Sequence, residues 1–253
     1  MDRTNAVQIF GLDGIPEIQT GDDVVGLIVD AIRASDLGLR DGDVVVVTHK
    51  VVSKAEGRLV DLSEVEPSAF AEHLAAIAQR DPRHYEVVLR ESARIVRMDH
   101  GVIISETRQG FVCANAGVDA SNVAGVEVLC LQPLDPDASA KRLRAGLRER
   151  LGADVGVIIT DSFGRPWRRG VINVAIGLDG LAPFADYRGQ QDPSGYELHA
   201  SVMAVADELA SAAELVMGKL ARRPVAIIRD FQSDCAPGAA RDLVMDPSRD
   251  MFR

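Results

Sequence analysis

Five polar stretches carry the residue types that phosphate, metal and carboxylate chemistry require. In the first, Thr48-His49-Lys50-Val51-Val52-Ser53-Lys54-Ala55-Glu56-Gly57, two lysines and two hydroxyls follow a β-branched run directly. These groups can hold phosphate oxygens, with Lys54 as a point charge, or they can be a solvated turn with ordinary surface lysines. In the second, Asn115 to Asn122, small and polar residues surround Asp119. A carboxylate so placed takes a hard cation, and Asn122 can meet a base or a ribose; an Asx turn is the alternative. The third runs from Thr160 through Asp161 and Ser162 to Gly170. Asp161 ends an apolar run, Arg165, Arg168 and Arg169 make an anion trap, and Trp167 offers a flat ring for stacking. Charges of both signs crowd so close to a strand end that binding is favoured over a plain surface loop. The fourth, Asp186-Tyr187-Arg188-Gly189 and on to Leu198, could orient an amino acid or be a loop that starts a helix. The fifth, Asp207-Glu208, Glu214 and Met217-Gly218-Lys219, reads most simply as a packed helix and its end.

The standard nucleotide and hydrolase signatures are missing. No G-x-x-x-x-G-K-[ST], G-x-G-x-x-G after a strand, H-E-x-x-H or G-x-S-x-G occurs, so a P-loop, a Rossmann site, a zincin and an α/β-hydrolase are poorly supported. Of the five histidines only His49 sits inside a candidate site, and no two stand at metal spacing.

The elements that must position these stretches can be read from periodicity. Val24, Val25, Leu27, Ile28, Ala31 and Ile32 mark a helix, and Val44 to Thr48 a buried strand. Pro67 and Pro82 each suit the first turn of a helix, the first through about Gln79 and the second to about Ser92. Ala93–Met98, Val102–Glu106 and Phe111–Ala114 suggest a meander. Pro136 starts a helix that Gly152 stops. Val155–Thr160 reads as a strand ending at Asp161, followed by a Gly- and Arg-rich loop. Val171–Leu178 and Val225–Arg229 read as strands, and Leu198–Lys219 as one long helix. The interleaving predicts an α+β or mixed α/β fold with mixed, partly antiparallel sheets. A single domain over residues 1–253 is expected, with two lobes divided near Asp135-Pro136.

Composition narrows the class. Apolar residues are 47% of the 253 and aromatics only 4%, so the core must be aliphatic. A net charge of −10 argues against a nucleic-acid binder, while metals can still bring phosphates to an acidic protein. The three cysteines, Cys113, Cys130 and Cys235, lack metal spacing and read as reduced thiols. The N-terminal stretch has no apolar core of a signal peptide, and no run reaches membrane-span length, so a cytoplasmic protein is expected.

Longer strings carry a resemblance. VVSKAEGRLVDL, CANAGVDASNV, VIITDSFGRPWRRGVINVAIG, DYRGQQDPSGYEL and VADELASAAELVMGK together resemble the F420-0:gamma-glutamyl ligase family, in the family's order, from about Gly14 to Phe231. The resemblance implies that GTP phosphorylates a carboxylate of the F420-0 precursor. The α-amine of L-glutamate then attacks the acyl phosphate, and some members add further γ-linked glutamates. It also implies paired Mg²⁺ or Mn²⁺, in some members K⁺, and a homodimer. Carried over by position, Ile15, Pro16, Glu17 and Ile18 line the guanine nucleotide site, and His49, Lys50 and Lys54 contact nucleotide and phosphate. Asp119 and Asp161 match ligands of one metal, Ser162 a ligand of the second, and Asn122 a nucleotide contact. Met217, Gly218, Lys219, Leu220 and Ala221 match a further nucleotide-contacting stretch. Lys219 departs from relatives that carry a glutamate ligand there, so either water and phosphate hold the second metal or Lys219 meets a phosphate. Arg165, Trp167, Arg168 and Arg169 are assigned to the precursor from their chemistry, not from the family.

Two other readings stay open on sequence alone. One is an acid–amine ligase for a different acceptor. The other is a nucleotide- or metal-responsive binding protein without catalysis.

Overall fold

The computed structural model describes residues 6–120, 127–232 and 237–251. Its first strand, β1 (Gln8–Gly11), precedes helix α1 (Val24–Ala34), which the Asp23 carboxylate caps by accepting from Gly26 N. Strand β2 (Val44–Thr48) is four buried valines and a threonine, as a strand covered on both faces must be. Helix α2 (His49–Ala55) begins at the next residue, and β3 (Leu59–Asp61) follows it. Ser68 caps α3 (Ala69–Ala78), and Asp81 caps α4 (Pro82–Glu91), with Pro82 in the first turn. The meander is β4 (Ser92–Asp99), β5 (Val102–Thr107) and β6 (Val112–Ala114). Its first turn places His100 and Gly101 at φ 48° and 74°, the left-handed pair that a tight hairpin needs.

After β7 (Val128–Cys130), Asp135 caps α5 (Pro136–Leu151), and Gly152 ends it in the left-handed region. Strands β8 (Gly156–Arg165) and β9 (Arg168–Asp179) form a long hairpin. The small pair β10 (Ala185–Asp186) and β11 (Val202–Met203) leads to α6 (Val205–Met217) and β12 (Val225–Arg229).

The main sheet has the order β1-β12-β2-β8-β9. Among the described residues only β2 and β8 of this sheet run parallel, paired from Val44↔Gly156 to Thr48↔Thr160; its other pairs are antiparallel. Helices α1, α5 and α6 share one aliphatic core with this sheet. Residues between Leu62 and Leu131, from α3, α4, β5 and β7, build a second, smaller core. Interleaved helices with mixed sheets are the α+β fold expected from the sequence.

Three local expectations are corrected. The Gly- and Arg-rich segment after Asp161 is no loop: β8 continues to Arg165, held by the pairs Ser162↔Asn173, Phe163↔Ile172 and Gly164↔Val171. The turn is made by Pro166 and by Trp167 at φ 57°. Helix α6 starts at Val205 rather than Leu198, because Val202–Met203 pairs with Ala185–Asp186 instead. The lysine-bearing stretch after β2 is a helix with His49, Lys50, Ser53 and Lys54 buried, not a solvated turn. Asn122 and Cys235 lie outside the described residues. Among the described residues no helix is long and apolar enough to cross a membrane.

Candidate functional site

The site opens where β2 and β8 end side by side. Thr48 and Thr160 are paired, so the residues that follow them, His49 and Asp161, emerge together. This is the crevice beyond the carboxyl ends of parallel strands, where ligands of open α/β sheets commonly bind. A cavity of about 790 Å³ lies there. Its lining includes Ile15, Pro16, Glu17 and Ile18 from the segment after β1, and His49, Lys50 and Lys54 from α2. Asp119, Asp161 and Ser162 join them, as do Met217 at the end of α6 and Gly218, Lys219 and Leu220 after it. Ala221 lies in that last stretch but not among the lining residues, and Arg165, Trp167, Arg168 and Arg169 stand apart on the β8–β9 hairpin. Trp167 at the hairpin turn is 85% exposed.

The carboxylates of the cavity are fixed by basic side chains, amides and backbone bonds. Asp119 is clamped through its backbone to Cys130 by hydrogen bonds of 3.0 and 2.8 Å, and its Oδ2 lies 2.6 Å from Lys50 Nζ. Asp161 accepts from Gln132 Nε2 at 2.8 Å and from the Ser162 amide at 2.7 Å. Lys54 pairs with Glu17, tying α2 to the segment after β1. His49 Nδ1 stands 3.2 Å from Ser53 Oγ, one turn along α2, while Nε2 lies 3.4 Å from Asp161 Oδ1. Burial holds the imidazole below its ordinary pKa, against the pull of the Asp161 carboxylate. Burial pushes the thiol of Cys130, which pairs with Asp119, up to about 11.

Sequence reasoning overlooked Asn173, Gln132, Arg222 and Arg223, and read Glu214 as part of a packed helix. Ser162 Oγ donates to Asn173 Oδ1 at 2.8 Å, and Asn173 Nδ2 donates to Glu214 Oε2 at 3.0 Å. Asn173 and Glu214 both line the cavity, as do Arg222 and Arg223. The signal for Asn173 was present: a lone amide within the apolar run VINVAIG must find partners once buried. Gln132 left no such signal.

Among the described residues no three His, Cys, Asp or Glu side chains gather as a metal cage. The oxygen donors of Asp119, Asp161 and Ser162 instead fit a hard cation that completes its shell with water and phosphate oxygens. Lys50, Lys54, Lys219, Arg222 and Arg223 put positive charge on the same lining, so the cavity can take a polyanion beside its carboxylates.

The sequence profile described as F420-0:Gamma-glutamyl ligase matches residues 14–230. A protein of Methanopyrus kandleri named coenzyme F420:L-glutamate ligase is 49% identical over 242 residues, covering 94% of each chain. One of the same name from Methanothermobacter thermautotrophicus is 42% identical, over 98% of this chain and 99% of its own. A third, from Haloarcula marismortui, is 41% identical over 98% and 96%. With a profile match across most of its length and relatives this similar end to end, the chain belongs to the F420-0:gamma-glutamyl ligase family.

Proposed function

We propose that this protein joins L-glutamate to F420-0, or to a dehydro form of it, with GTP as the phosphoryl donor. The precursor's carboxylate attacks the γ-phosphorus of GTP, GDP leaves, and an acyl phosphate forms. The α-amine of L-glutamate attacks the acyl carbon, phosphate leaves, and an amide remains; a further γ-linked addition repeats the step. The observation that carries this reading is one cavity shared by Asp119, Asp161 and Lys54, which come from three separate parts of the chain.

The substrate supplies its own nucleophile, so the protein's part is positioning and charge neutralisation. Lys50, Lys54, Arg222 and Arg223 receive phosphate oxygens, and Lys219 joins them rather than ligating a metal. The segment Ile15–Ile18 and residues Met217–Ala221 flank the nucleotide, with Asn122 as a further contact. Asp119 and Asp161 hold Mg²⁺ or Mn²⁺, with Ser162 as the adjoining oxygen. When bound, the ion supplies neutralisation of the phosphate charge; K⁺ is a further ion of the same reading. His49 packs beside Asp161, its Nε2 3.4 Å from Oδ1, and so flanks the cation-holding carboxylate. Arg165, Trp167, Arg168 and Arg169 meet the part of the precursor that projects beyond the cavity. The protein works as a homodimer in the cytoplasm.

Mass spectrometry of the purified protein with F420-0, GTP, Mn²⁺ and L-glutamate tests the reading. The expected product is heavier by one glutamyl residue, with GDP released only when both acceptor and amino acid are present. Asp161→Asn is expected to abolish turnover with an unchanged circular dichroism spectrum. Undiminished turnover in that variant, or no amide product from the wild type, sinks the proposal. Light scattering checks the dimer.

A further inference from the structure

Ser162, Asn173 and Glu214 form a chain of hydrogen bonds along the cavity, and a carboxylate at one end sets the direction of the rest. The Glu214 carboxylate only accepts, so the Asn173 atom 3.0 Å from its Oε2 must be the amide nitrogen. That turns Asn173 Oδ1 toward Ser162. A carbonyl oxygen also only accepts, so the Ser162 hydroxyl must donate across the 2.8 Å between them. Ser162 has one hydroxyl hydrogen, and this bond commits it. Its remaining lone pairs are all that Oγ can offer a ligand.

The arrangement is fixed from both sides. Asn173 is only 5% exposed, so water is a poor substitute partner for its amide. Flipping it would set carbonyl against carboxylate. Its backbone is registered opposite Ser162 in the β8–β9 pair, and its carbonyl accepts from Ser211 Oγ at 2.7 Å. Ser211 and Glu214 stand three residues apart on α6, on one face of the helix. Beside this chain lies Asp161, whose Oδ1 is occupied by the Ser162 amide.

We propose that Asn173 and Glu214 are positioning residues that hold Ser162 Oγ as an obligate acceptor, so that this wall of the cavity receives a divalent cation and not a phosphate oxygen. The inference rests on the reading of the cavity as a nucleotide and metal site. It assigns the cavity a polarity: lone pairs on the Ser162 side, ammonium groups on α2. Glu214 acts here through Asn173, not as a ligand itself.

Mn²⁺ binding, followed by electron paramagnetic resonance on the whole protein with a non-hydrolysable GTP analogue, tests this without turnover. Glu214→Gln lets the side chain present an amide to Asn173, which frees the chain to reverse. Affinity for Mn²⁺ is expected to fall about tenfold, as when an outer partner of a metal ligand is lost. Asn173→Ala is expected to fall similarly, and Glu214→Asp to recover most of the loss. The decisive measurement is the double variant. If Glu214 acts through Asn173, the second substitution adds less than about twofold. Additive losses, or single variants within twofold of wild type, overturn the proposal, and so does a wild type that binds no Mn²⁺. Thermal melts of each variant confirm folding. Wild-type ligation with unaffected variants fails this inference alone. Glu214-dependent Mn²⁺ binding without ligation fails the proposed function alone.

Discussion

Gln132 has one way to face Asp161. The carboxylate accepts, so the amide nitrogen points to it, and Gln132 Oε1 is left buried without a hydrogen-bond partner among the described residues. Gly117 makes room for this: at φ 67° it lies so close that an added Cβ would sit 2.4 Å from Gln132 Nε2. Gly117→Ala therefore meets both a steric and a conformational obstacle, and is expected to cost about 1–3 kcal/mol, read as a lower Tm. Gln132→Leu removes the donor to Asp161 and is expected to lower kcat roughly 10- to 100-fold, checked by the mass-spectrometric assay. At this scale the sequence was informative where a charge stood in a telling place. Asp161 at the end of an apolar run and Asp119 among small residues both reach the cavity. Gln132 sits in the run LCLQPLDP, where an amide has no periodic or charge signature, and only the fold shows what it faces.

Strand β9 is the edge of the main sheet, and its outward backbone groups need partners other than a strand. Helix α6 supplies them with side chains. Asp207 accepts from the Ala175 amide at 2.9 Å, and Ser211 donates to the Asn173 carbonyl. Burial pushes the Asp207 carboxyl above its ordinary pKa. A folded state that holds this proton more tightly than the unfolded chain gains its full benefit below the ordinary carboxylate range. That stability is lost as pH rises through the elevated value, so at pH 7 the buried charge is a cost. Asp207→Asn keeps an oxygen acceptor and removes the charge. It is expected to raise Tm at pH 7, with the difference from wild type vanishing near pH 3. Helices with a capping residue and a clear apolar stripe, such as α1 and α5, were legible beforehand. Strands β1, β3 and β7, of three or four residues, carry too little pattern to separate from loop. The start of α6 was misplaced because helix propensity in Leu198–Ala204 lost to pairing with β10.

Across the molecule, a buried ion pair joins the end of β12 to the chain before β2. Arg229 reaches both oxygens of Asp43, at 3.0 and 2.7 Å, donates to the Gly38 carbonyl at 2.8 Å, and lies 5.8 Å from the centre of the Phe10 ring. Asp43→Ala strands a buried guanidinium and is expected to cost about 3–5 kcal/mol. Asp43→Leu combined with Arg229→Met is expected to lose much less, with both measured by urea denaturation. That residues 17, 54, 119, 161 and 217 would share one cavity could not be read from spacing, since strand pairing brings them together; only the family resemblance hinted at it. The parallel pair β2 and β8 then has a consequence of its own. From Thr48 and Thr160 the two chains part ways, one coiling at once into α2, the other running straight on as a ribbon. The cleft is the fork between them, so its place is dictated by diverging main chains and not by the size of any side group. Substitutions at its rim can reshape what fits inside while the frame stays put.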